Sequence, residues 1–338
     1  MKNALHPRLR IFAAILLLIF GSLVPGFFYI RVQNRIAKQT NTKLNEVTAA
    51  HVYELTHRLE AYTNVLYSTR GLFAATSIDD AVWDRFVSNQ ALTKRYPGMQ
   101  AAAYAEIVPH DQADAFEKRM QSQVGVDNFK LHPRKDSGDY AVITFHKETS
   151  AQQTSQRSMG LDIASDQVRQ TALSASQEVG DITATAPLQL KTLHKTGVIL
   201  ITPVKNVNGR QHDKPVGYAI AIFDVENLVS SSMAERLHQY KTSITIADIT
   251  DGKENVFYKL AYPNSEKALS SSTNIDIGGR QWKITFNAPA SDLLMFDDRA
   301  APYVMVGVSM LVVGLVSTAT YAVRLRRRLS EKSLNPYK

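Results

Sequence analysis

The sequence predicts an α+β fold held between two membrane-spanning helices, and three observations carry that expectation. Two long runs, one near each end, contain no charge. A helical stripe follows the first run. Beyond it, helices alternate with antiparallel strand patterns in two successive blocks.

The uncharged runs are residues 11–30, IFAAILLLIFGSLVPGFFYI, and residues 300–323, AAPYVMVGVSMLVVGLVSTATYAV. At about 1.5 Å of rise per residue, each is long enough for a hydrocarbon core of roughly 30 Å. A buried core helix rarely runs so far without a charge. The first run also exceeds the apolar stretch of a signal peptide, about 7–15 residues, and no A-x-A cleavage site stands behind it. Both are therefore read as spans.

Charge sets their orientation. The formal net charge is +8, and the ends carry all of it: Lys2, Arg8 and Arg10 before the first span, and Arg324, Arg326, Arg327, Arg328, Lys332 and Lys338 against Glu331 after the second. Of 39 Lys and Arg, nine lie in these ends, and of 31 Asp and Glu, one does, so residues 31–299 balance at 30 of each. The sequence pI of 9.4 is thus a positive-inside signature suited to anionic head groups, and it predicts no nucleic acid partner. The expected layout is a cytoplasmic N-terminus (1–10), a first span (11–30), an extracytoplasmic domain (31–299), a second span (300–323) and a basic cytoplasmic tail (324–338). The absence of Cys and of any N-x-[ST] sequon fits a bacterial inner membrane and rules out a disulfide scaffold.

From Arg31 to Arg70 there is neither Gly nor Pro. Leu44, Val47, His51, Leu55, Leu59, Tyr62, Leu66, Thr69 and Phe73 step by three and four at a mean close to the 3.6 of a straight helix. This predicts a stalk helix over 31–75, one face of which packs on the domain's own sheet. Its membrane-proximal half, with Ile36, Thr40 and Leu44, offers a homodimer seam. Gly307 and Gly314, on one face of the second span, add small residues that let helices approach in lipid.

Ser77-Ile-Asp-Asp80 resembles a capping box opening a second helix, with Trp83, Phe86 and Val87 on its buried face and Arg95-Tyr-Pro-Gly98 ending it. The expected order is then strand 100–108, helix 111–123, strand 140–146, and a helix capped by Ser165 and ended by Gly180. A hairpin follows, pairing 197–204 with 216–223 through Asn208-Gly209. Asp224 caps a helix over 225–238, and smaller strands fall at 243–249, 256–261, 270–277 and 281–287. Two sheets side by side result, dividing the domain at 76–235 and 236–299.

Catalytic signatures are missing. The nine His include no H-E-x-x-H and no zinc-suited pair; no Gly-rich phosphate loop, G-x-S-x-G or thiol occurs. Asp297 and Asp298 read as a membrane-boundary pair, and Lys147 and Glu148 as solvated. No catalytic residue, metal ligand or cofactor is predicted.

Several short segments in order are similar to the CHASE sensory domain, found outside the membrane in histidine kinases and nucleotide cyclases and including the plant cytokinin receptors. They are Arg70-Gly-Leu-Phe73, Arg95-Tyr-Pro-Gly98, Gly160-Leu-Asp162, Thr185-Ala-Pro187, Gly197-Val-Ile-Leu200, Pro203-Val204, Gly217-Tyr218 and Phe223-Asp-Val-Glu-Asn-Leu228. The resemblance covers about residues 60–290. It implies two PAS-like subdomains on the stalk, the membrane-distal one over 76–235 and the membrane-proximal one over 236–299, with a small-molecule ligand in the distal one. It places Tyr218 in the ligand cavity. Thr185, Leu188, Leu190, Ile199 and Ile201 line the remainder, Asp166 is the acid nearest the start of the ligand-side helix, and Arg169 or Lys191 is available for an anionic group. The plant receptors have two glycines just after this Tyr where Ile220 and Ala221 stand here, which predicts a ligand other than an adenine-type cytokinin.

The expectation is therefore a sensor that binds a small extracytoplasmic ligand and signals across the bilayer. Family members usually continue past the second span into a kinase or cyclase. Here fifteen residues follow it, so a separate kinase or cyclase is the expected partner. Two alternatives stay open at this point: a non-signalling envelope binding or scaffold protein, and a truncated sensor kinase or cyclase fragment.

Overall fold

A computed structural model of the chain describes residues 7–75, 78–124, 129–149, 158–190, 195–205, 214–262, 268–293 and 296–333. It opens on α1 (Pro7–Ala75), one helix of 69 residues. Two compact units result: residues 46–288, and residues 1–45 together with 289–338.

In the larger unit, the predicted stripe of α1 is the buried one. His51, Leu55, Leu59, Tyr62, Leu66 and Thr69 are all buried, as is Val65, and Phe73 is half-buried. Against it pack α2 (Asp80–Gln90) and the single turn α3 (Leu92–Arg95). The side chain of Asp79 caps α2 by accepting from Val82 N at 2.7 Å; Ser77 lies outside the described residues. Then come β1 (Met99–Val108), a one-turn helix leading into α4 (Ala113–Val124), and β2 (Tyr140–Glu148). Next is α5 (Gln167–Val179), ended by Gly180 at φ +73°. Its cap is Asp166, which accepts from Arg169 N at 3.2 Å, and not the predicted Ser165. Ser165 instead closes the preceding turn, donating to Asp162 O.

Two short strands, β3 (Thr183–Ala184) and β4 (Leu188–Leu190), precede the hairpin strands β5 (Lys195–Lys205) and β6 (Pro215–Asp224). The hairpin pairs antiparallel as expected; its Asn208-Gly209 turn lies outside the described residues. Asp224 caps α6 (Val225–Gln239), accepting from Asn227 N at 2.9 Å. The strands β7 (Ser243–Asp248), β8 (Asn255–Leu260), β9 (Ala268–Ile277) and β10 (Arg280–Pro289) complete the unit.

The strands form two antiparallel sheets. One runs β2-β1-β6-β5-β3 with β4 beside β5, the other β8-β7-β10-β9. One apolar core serves both: Leu55, Leu59, Tyr62, Leu66, Tyr104, Leu200 and Phe223 belong to the same cluster as Met233, Leu237, Ile246, Trp282 and Phe286. The sheets also touch through backbone. Ala184 N donates to Gly278 O at 3.0 Å, in the β9–β10 turn. Gly278 has φ +55°, and a Cβ there would lie 2.7 Å from Ala184 N.

The segment 158–165 lies over β2. His132 N donates to Gly160 O, and Gly160 N to Ile143 O, each at 2.9 Å. Gly160 has φ +82°, and a Cβ on it would stand 2.1 Å from Lys130 O. Gly160→Ala is expected to lower stability by about 1–3 kcal/mol from backbone strain alone, read as a shift in the urea midpoint.

In the smaller unit, the one-turn α7 (Ala290–Leu293) precedes α8 (Phe296–Ser333). Among the described residues one stretch is long and apolar enough to cross a membrane, Pro302–Arg326, with mean hydropathy 1.8. Its Tyr303, Val308, Met310, Leu311 and Leu315 are exposed, as are Leu23, Phe27, Phe28 and Ile30 of α1. The first predicted span, 11–30, falls in α1, and most of its side chains lie outside the described ones.

Candidate ligand site on the six-stranded sheet

The two faces of the larger sheet differ. One packs on α1 and α2. The other carries a separate cluster of Ala103, Ala105, Ala141, Ile143, Ile199, Ile201, Tyr218 and Ile220 with Ala172 and Leu173 of α5, against which Met159, Leu161 and Leu188 pack. Along β1, an interior strand between β2 and β6, the residues on this face include Ala103 and Ala105, two successive small side chains. Across the register they stand opposite Ile220 and Tyr218. A methyl where a branched side chain would fit leaves the first layer shallow.

This face brings four of the nine predicted site residues together. Tyr218, Ile199 and Ile201 share the cluster, and Leu188 packs against it. Leu190 sits farther along β4, where its Cδ1 fills the space beside Gly197. Thr185 turns its hydroxyl to the backbone: Oγ1 accepts from Ile199 N at 3.1 Å, while Thr185 N donates to Ile199 O at 2.9 Å. The Asp166 carboxylate is occupied as the helix cap. Lys191 lies outside the described residues. The two residues that replace the receptor glycines face opposite ways: Ile220 belongs to the site cluster, Ala221 to the core beneath α1. Only Ile220 therefore takes volume from the site.

The polar groups are few, as in a typical small-molecule site. The Tyr218 hydroxyl accepts a hydrogen bond from Gln177 Nε2 on α5. Burial pushes its phenol up to about 12, offset in part by the Gln177 bond, so it stays protonated and keeps its own proton to donate. Arg169 Nε is buried and has no hydrogen-bond partner among the described residues. An unpaired buried donor on an always-charged side chain is costly, which marks it as a position for an acceptor.

Sequence reasoning missed Gln177 and His146. His146 lies opposite Ala103 in the β1–β2 ladder, so it shares the site face. Its Nδ1 is buried without a partner among the described residues. Burial lowers its pKa and Glu148 only partly opposes this, so the imidazole is neutral at pH 7. The residue was hidden by a bulge. Tyr104 pairs with Phe145 but Ala105 with Ile143, leaving Thr144 as the extra residue. Strict alternation from Ile143 would have turned His146 away.

A second depression, of about 190 Å³, is lined by Glu106, Ile107, Val108, Pro109, Gln112, Ala115, Phe116 and Arg119. Its two charges pair with each other, Arg119 Nη2 to Glu106 Oε1 at 2.5 Å. It therefore presents no charge seeking a partner. Among the described residues no group of three or more His, Cys, Asp or Glu is arranged to hold a metal ion.

A curated relative, "Probable histidine kinase 5" of Oryza sativa subsp. japonica, is 24% identical over 225 residues, covering 60% of this chain and 18% of the relative. The chain thus matches less than a fifth of that protein's length. Among solved structures, the ligand-binding domain of the Pseudomonas aeruginosa amino acid chemoreceptor PctC, in complex with GABA, has a TM-score of 0.43 at 12% identity. It covers 72% of this chain and 97% of that one. The periplasmic sensory domain of the Campylobacter jejuni chemoreceptor Tlp1 scores 0.42 at 14% identity, covering 77% and 93%. The Pseudomonas fluorescens CtaA domain in complex with L-serine scores 0.45 at 14%, covering 75% and 99%. At such scores the structural likenesses are distant. The sequence match is decisive: residues 76–258 fit the profile of the CHASE domain, and the chain belongs to the CHASE domain family.

Proposed function

We propose that this chain is a membrane-anchored sensor that captures a small extracytoplasmic molecule on the α5-facing side of its larger sheet. Two observations carry this reading: the small-residue floor of Ala103 and Ala105 on the face where Ala172 and Leu173 of α5 pack, and a buried, unpartnered Arg169 Nε on that same helix. A packed structural core has no use for an unpaired guanidinium nitrogen, whereas an anionic or carbonyl-bearing ligand satisfies it. Tyr218 supplies an apolar ring and one hydroxyl, with Ile199, Ile201 and Leu188 around it.

In this reading residues 11–30 and 300–323 are the spans, 31–299 lies outside, both termini are cytoplasmic, and 76–235 and 236–299 are distal and proximal subdomains. Two copies pair through the stalk, and a separate kinase or cyclase reads the displacement. Reporter fusions after Lys338 are expected to be active only in the cytoplasm, and fusions at Asn208 only outside; cytoplasmic activity at Asn208 would overturn the topology.

The ligand is not an adenine-type cytokinin, because Ile220 fills space on the site face that a flat purine needs. Calorimetric titration of the purified protein with adenine derivatives is expected to show no binding. Micromolar or tighter binding that disappears in Tyr218→Ala would refute the volume argument.

A further inference from the structure

We infer that His146 is a ligand-contacting residue of this site, and that the ligand is a small carboxylic acid bearing a neutral hydrogen-bonding group at the end remote from its carboxylate. The inference rests on the sensor reading above and adds the second pole of the ligand.

Two polar atoms on the elements that form this face are buried and without a partner among the described residues, Arg169 Nε of α5 and His146 Nδ1 of β2. They differ in charge. Guanidinium is always a cation and always a donor, so it takes a carboxylate. His146 is half-buried on an edge strand with its Nδ1 buried, its lowered pKa leaves it neutral, and a neutral imidazole pairs with a hydroxyl or similar group rather than with an anion.

Their positions also differ. α5, which carries Arg169, contacts β5 and β3, whereas His146 stands on β2. Arg169 lies in the first turn of α5, just after the turn 163–165 that packs on β2, whereas His146 lies farther along β2, toward its end at Glu148. Between them the floor is Ala103, opposite both His146 and Ile220. A cross-strand neighbour larger than alanine would have closed over the imidazole.

The test uses the full chain in lipid nanodiscs and a calorimetric panel of straight-chain monocarboxylates of about three to six carbons, each with and without a terminal hydroxyl. At the best length, the hydroxylated acid is expected to bind roughly three- to tenfold tighter than its plain counterpart. His146→Leu should erase that difference while leaving the plain acid unchanged, and His146→Asn, whose amide can replace Nδ1, should restore part of it. Arg169→Ala should weaken both acids alike, which tests the anion site separately. If the difference survives in His146→Leu, the assignment of His146 is wrong while the sensor reading stands. If no member of the panel binds, the ligand class and the role of His146 both fall, while the family membership shown by residues 76–258 is untouched. A melting temperature guards against misfolding. An unsatisfied imidazole exchanged for Leu should leave it level or raised; a marked drop would show that His146 is already paired in the folded protein and would overturn the assignment.

Discussion

Removing residues 31–75 is expected to abolish cooperative folding of everything that follows. Leu55, Leu59, Tyr62, Val65 and Leu66 are each at most 5% exposed, and all belong to the cluster that serves both sheets. At about 1.5–3 kcal/mol for each large apolar side chain buried, five such residues contribute roughly 7–15 kcal/mol. That matches the whole net stability of a typical domain, about 5–15 kcal/mol. Polar ties are lost as well: Tyr62 donates to Pro97 O, and Arg58 Nη2 to Ser231 O at 2.8 Å. Thermal melts of fragments 31–299 and 76–299, followed by circular dichroism, decide the matter. A shorter fragment that melts as sharply and as high as the longer one would show that the helix is an accessory.

The second large effect is expected at Asp162, which is fully buried. Its Oδ1 accepts from Ala141 N at 2.9 Å and Ala164 N at 3.1 Å, and its Oδ2 meets Lys135 Nζ at 2.6 Å. One carboxylate thus ties the end of β2, the turn before α5 and the loop at Lys135. Asp162→Ala leaves two amides without their acceptor and Lys135 Nζ with Asp139 O in place of a carboxylate, and breaking such a buried pair costs about 3–5 kcal/mol. Asp162→Asn keeps one acceptor oxygen and should cost less. Because Met159 and Leu161 pack against the site cluster, the Ala variant should also weaken ligand capture at temperatures where it is still folded. Urea midpoints for both variants test this, and equal midpoints for wild type and Asp162→Ala would refute it.

Much of this fold can be read in the sequence because its strongest signals are local. The α1 stripe is one-sided and steps at helical spacing, so burial follows from periodicity alone. The hairpin β5–β6 is two continuous apolar runs joined by a turn signal. What escaped was non-local. Nothing in the residues of β1 states that it lies between β2 and β6 rather than beside the next strand in sequence alone, and the two- and three-residue strands β3 and β4 are too short to carry a pattern. The cap of α5 was misassigned by one residue because Ser165 and Asp166 are both good capping types; only the hydrogen bond to Arg169 N separates them. Asp166 entered the ligand candidates through the family resemblance alone, and its carboxylate is the one that caps α5. At the site, Tyr218, Ile199 and Ile201 were accessible to an alternation argument, whereas His146 was not, because a single extra residue at Thr144 reverses the count.

The contact between Gly278 and Ala184 has a consequence for how the two sheets can move. Thr183 Oγ1 donates to Ala172 O of α5 at 2.8 Å, and the next residue's amide donates to Gly278 O. These are two hydrogen bonds in series, and the far one has no side chain at Gly278 to yield by changing rotamer. A small shift of α5 is therefore taken up either by breaking one of these bonds or by carrying the β9–β10 turn along. The amide of Ala184 becomes a clock for that choice: slow hydrogen exchange marks the sheets as latched, and a change in its rate alone would register α5 moving while the rest of the sheet stays closed.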